Sequence, residues 1–60
     1  VIFFKRLDVV TIGGNPKRWT VDRVREEYDA AGEPYLMAEL SDAAGKRTAA
    51  ETSRLKKVGG

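Results

Sequence analysis

Apolar and polar residues alternate along much of this chain, at the period of an extended strand. In "LDVVTI" the alternation puts Val10 and Ile12 on one face and Leu7, Val9 and Thr11 on the other. In "RWTVDRV" it joins Trp19 to Val21, until Val24 breaks the period and predicts a bulge or twist near Asp22–Arg23. "PYLMAEL" sets Leu36, Ala38 and Leu40 against Tyr35, Met37 and Glu39. The opening "VIFFKRLDVVTI" is rich in the branched and aromatic residues that suit a pleated surface. Nearer the end, "KRTAAE" reads as a short strand and "TSRL" as a single 3₁₀ turn leading into "LKKV".

Two helical patterns compete with this reading. Val21, Val24 and Tyr28 fall at i, i+3 and i+7, with Gly32 placed as a C-cap. Only three apolar anchors then face one way, and strand signals flank the segment on both sides. The other candidate is a helix from Thr48 to Lys57, opened by the capping box "TAAE".

The turns are written in Gly, Pro, Asn and Asp. In "GGNPKR", Gly13 and Gly14 permit positive φ, and Pro16 presets its own φ while removing a ladder donor. The tetrapeptide DAAG occurs twice, at Asp29–Gly32 and at Asp42–Gly45. Each copy sits where a strand must reverse, with an Asp able to bond its own backbone and a Gly free to enter the left-handed region. The duplication reads as one turn used twice, not as a repeated binding motif. Short strands punctuated this way predict an all-β fold, a small five-stranded antiparallel barrel with a 3₁₀ turn before the last strand. Residues 1–6 are expected to form an apolar arm or first strand, 7–58 the barrel and 59–60 a tail.

The order "LDVVTIGGNPKRWTVDRV", "YLMAELSDAAGKRT", "SRLKKV" resembles the small SH3-like barrels, among them Tudor- and KOW-type modules and short proteins of actinobacterial bacteriophages. The similarity runs from Leu7 to Val58, and one departure is Leu7, where such modules commonly carry Gly before the Asp. The resemblance implies a non-catalytic binding or assembly role, of which a minor virion component on a head or connector is the concrete version.

Composition narrows the chemistry. With 60 residues and no Cys or His, neither a disulfide nor a Cys/His zinc site can staple the fold. A chain this size buries only roughly 60% of its unfolded surface, so its core is small and burial against a partner would add to it. At 42% hydrophobic and 33% charged residues the balance is globular, and a net charge of +2 falls short of a dedicated nucleic-acid binder. "VIFF" is far too short to span a bilayer and nothing resembles a secretion signal. Taken with the bacteriophage resemblance, this makes the bacterial cytoplasm or a virion, with no membrane, the expected setting.

The commonest general base and the commonest thiolate nucleophile are missing. Ser41 and Ser53 read as turn and cap hydroxyls, and Glu26–Glu27, flanked by Arg23 and Arg25, as a solvated face. Glu39 with Asp42 lacks calcium-loop spacing, and "GGNPKR" lacks phosphate-loop spacing. No catalytic, cofactor or metal site is expected. Val1, Ile2, Phe3 and Phe4 are more apolar bulk than a tiny barrel buries, so with Tyr35 they are expected to contact a protein partner in a larger assembly, or a second copy. The alternative is a nucleic-acid module in which Lys17, Arg18, Lys46 and Arg47 grip phosphate while Trp19 stacks on a base. Against that, Trp19 also reads as the main core residue.

Overall fold

Strands arise at the alternating segments. In a computed structural model, which describes residues 4–58, the elements are β1 (Val9–Ile12), β2 (Arg18–Tyr28), β3 (Pro34–Ser41), β4 (Arg47–Glu51), a 3₁₀ turn (Thr52–Arg54) and β5 (Leu55–Lys57). They make one antiparallel sheet in the order β4-β3-β2-β1-β5. Neither competing helix forms. Val21 and Val24 lie in β2, and the T-x-x-E box falls within β4.

Period two explains the core. Val10, Val21, Ala38 and Leu40 are wholly buried, and Trp19, Ala50 and Leu55 nearly so. Phe4, Ile12 and Val24 pack on this cluster. Burying a Val or Leu side chain is worth about 1.5–3 kcal/mol relative to exposure, so a few such residues carry most of the hydrophobic gain. The bulge also appears where the alternation fails. Val21 pairs with Leu40 and Arg23 with Glu39, leaving Asp22 as the extra residue of β2. The inward face therefore passes from Trp19 and Val21 to Val24.

Both DAAG segments adopt the same hairpin. Gly32 N–H donates to the Asp29 carbonyl and Gly45 N–H to the Asp42 carbonyl, each at 3.0 Å. Asp29 Oδ1 accepts from the N–H groups of Ala31 and Glu33, and Asp42 Oδ1 from those of Ala44 and Lys46. The glycines have φ of 81° and 85°, as a three-residue hairpin loop with a left-handed third position requires. A Cβ at either would meet nothing within 4 Å, so torsion alone selects glycine there. In "GGNPKR" only Gly13 takes a positive φ, 54°.

The five antiparallel strands expected of a small barrel are present, but they form one open sheet. β4 and β5 are its two edges and do not pair. Only three residues form β5, and the 3₁₀ turn ahead of it uses the chain that a longer β4–β5 ladder would need. The molecule is also elongated, 35 × 24 × 20 Å, with a radius of gyration of 11.5 Å. A compact chain of this length would show about 10 Å.

The cause is the β2–β3 hairpin. β1 pairs with β2 at Arg18, Trp19 and Thr20, and β4 pairs with β3 no nearer the turn than Met37. Beyond that rung, Glu26–Leu36, Glu27–Tyr35 and Tyr28–Pro34 continue as a two-stranded ribbon, for about 10 Å before the turn.

Candidate functional site

The ribbon's inner face continues the core face but lies past the core. Glu26 and Tyr28 follow Val24 on β2, and Leu36 and Pro34 precede Ala38 on β3, so directly opposed residues share one surface. Tyr28 is 64% exposed and Leu36 41%. Pro34 is exposed beside them. The Tyr28 hydroxyl donates to Glu26 Oε1 at 2.9 Å, which fixes the ring along the ribbon. That bond to a carboxylate, with its charge, holds the phenol above its ordinary pKa. A shallow cleft of about 230 Å³ lies here, lined by Glu26, Pro34, Tyr35 and Leu36.

Charge sets this end apart. Glu26, Glu27, Asp29 and Glu33 cluster around the turn, and no Lys or Arg occurs between Arg25 and Lys46. Only Glu27 among these four has a basic partner within the described residues, Arg25 at 3.4 Å. The ribbon tip is thus acidic and apolar together.

The opposite end collects the basic residues expected to grip phosphate. Lys17 Nζ pairs with Asp42 Oδ2 at 2.9 Å, tying the β1–β2 loop to the β3–β4 turn. This ion pair holds the Asp42 carboxyl below its ordinary pKa, helped by the Lys46 and Ala44 N–H groups. Lys17 Nζ also lies 4.4 Å from the Trp19 ring centre, and Trp19 is only 9% exposed. The indole is a core residue capped by an ammonium. Arg18, Lys46 and Arg47 are exposed, with no carboxylate in ion-pair range among the described residues.

A larger cleft of about 370 Å³ runs between Arg6, Asp22, Glu39, Leu40, Arg47 and Thr48. Its carboxylates are already engaged. Asp22 Oδ1 accepts from the Ser41 hydroxyl at 3.0 Å, and Glu39 Oε2 accepts from Arg25 at 2.7 Å. Among the described residues no group of three or more acidic side chains is placed to hold a metal ion, and no helix is long and apolar enough to cross a membrane.

Of the residues expected to anchor a protein partner, Val1, Ile2 and Phe3 lie outside the described residues. Phe4 packs on the core, with Lys57 Nζ 5.7 Å from its ring centre, and Tyr35 is half-buried in the ribbon's cleft. Tyr28 and Leu36 were not singled out from sequence. The available signal was the long base-free stretch that contains both. Comparison with protein-family models, with curated proteins and with solved structures returns no match.

Proposed function

We propose that this chain is a non-catalytic docking module on an SH3-like small barrel, joining a larger assembly through the free end of its β2–β3 hairpin. Five antiparallel strands with a 3₁₀ turn before the last support the SH3-like reading, the sheet being open at β4 and β5. One observation carries the docking role: Tyr28 and Leu36 stand exposed on one face of a ribbon that, among the described residues, has no strand on either side. A two-stranded ribbon in water gains little by itself, and aromatic side chains on such a surface are the usual anchors of protein interfaces. Val1, Ile2 and Phe3 add apolar bulk to the same role. The resemblance to bacteriophage proteins makes a virion head or connector the concrete form of the assembly.

The test is Tyr28→Ser with Leu36→Ser in the chain produced in its native cell. The variant keeps its strand dichroism and buried Trp19 emission but no longer co-fractionates with the high-mass assembly. Undiminished co-fractionation contradicts the proposal. Loss on Lys46→Glu with Arg47→Glu instead, reproduced by nuclease treatment of the wild type, would favour nucleic-acid binding.

A further inference from the structure

The ribbon tip has a counterpart on the same molecule. On the outer face of the sheet, Thr11 of β1 lies opposite Arg18 of β2 and Lys56 of β5, so two exposed cations flank it in one rung. Neither has a carboxylate in ion-pair range among the described residues. Next along β1 on this face is Val9, 38% exposed, whose carbonyl accepts from the half-buried Val58 at 2.9 Å. This surface is basic and apolar, as the tip is acidic and apolar.

The two patches cannot meet within one chain. Arg18 and Tyr28 are the ends of the 11-residue β2. That separation is roughly 30 Å along the strand, close to the long axis of the molecule. We propose that the exposed inner face of the β2–β3 ribbon docks on the outer β1–β5 face of a second copy of this chain. In that contact Tyr28 and Leu36 cover Val9 and Val58, while Glu26, on the same face, meets Arg18 and Lys56. The inference rests on the hairpin-docking function above and names its partner. The two patches lie on opposite faces and at opposite ends of the sheet, so a pair of copies making one such contact leaves its other two patches apart. The contact is therefore heterologous, propagating into a ring or filament. The ribbon is narrow. A standard interface takes about 800 Å² from each partner, and the whole surface is 4538 Å². The contact is therefore weak and depends on charge.

Sedimentation of the full chain across a concentration series reads this directly. Association is expected at about 10 mM salt, where charges are felt over about 30 Å, and is lost at about 1 M, where the range falls to about 3 Å. Glu26→Lys weakens it about tenfold or more, as does Arg18→Glu with Lys56→Glu. Mixing the two variants restores it, because each then offers what the other lacks. A wild type that stays monomeric at about 1 mM and low salt overturns the proposal. So does a mixture that stays apart while both variants keep native dichroism. If Tyr28→Ser with Leu36→Ser still abolishes co-fractionation in either case, hairpin docking survives and its partner is a different protein.

Discussion

Leu7 is the non-glycine residue with positive φ, 76°, among those described. Asp8 N–H donates to the Lys5 carbonyl at 3.1 Å, closing a four-residue turn with Leu7 at its third position. A type II turn calls for positive φ there and normally takes glycine. The turn is held in place from outside: Leu7 N–H donates to the Val21 carbonyl, Val21 N–H to the Asp8 carbonyl, and Lys5 N–H to Asp8 Oδ2. For a side chain with a Cβ the left-handed region costs about 1–2 kcal/mol. Leu7 is 71% exposed, so its packing returns little of this. Comparing Leu7→Ala with Leu7→Gly isolates the strain, since both remove the same packing. At an ordinary site glycine is the less stable of the two, by about 0.5–1 kcal/mol of backbone entropy. Here relief of strain outweighs that, and Leu7→Gly should exceed Leu7→Ala by about 0.5–1 kcal/mol. In a domain of this size that corresponds to a rise in Tm of about 2–8 °C. Buried Trp19 supplies the fluorescence readout for urea and thermal unfolding. A glycine variant less stable than the alanine variant refutes the strained turn.

Gly45→Ala, at φ 85° in open space, should cost about 1–2 kcal/mol in urea unfolding, whereas Gly14→Ala, with no positive φ and no neighbour within 4 Å, should be neutral or mildly stabilising. Asp8 and Asp42 are both held below the ordinary carboxyl value of 3.8, Asp8 chiefly by the Lys5 N–H and Asp42 chiefly by Lys17. Their contribution to stability is complete above that value and is lost as pH falls through the depressed folded pKa values. Asp42→Asn keeps the Oδ1 acceptor of its turn and loses the charge, so its urea midpoint should lie below wild type at neutral pH and converge with it in acid. Parallel midpoints across that range contradict the assignment.

How much of this was legible in the sequence depended on how local the cause is. The DAAG turns were readable because Asp and Gly act within five residues of chain, and the bulge because Val24 falls out of step with Val21. The 3₁₀ turn at Thr52–Arg54 was likewise readable. Alternation put Leu36 on the face of Ala38 and Leu40, yet it carried no sign that the core ends between them. That limit is set by where β1 and β4 stop pairing, which depends on residues far apart in the chain. For the same reason the Lys17–Asp42 link was invisible, although both residues were read as turn residues. Leu7 showed the reverse case: the departure from glycine was noticed, but the turn keeps its positive φ and accepts the strain.

Amide hydrogen exchange, compared between the free chain and the chain within its assembly, tests hairpin docking most directly. The ribbon amides from Glu26 to Leu36 should exchange quickly when free and slow markedly once docked. Slowing confined to the other end of the sheet, around Lys17–Arg18 and Lys46–Arg47, with the ribbon unchanged, would contradict the account.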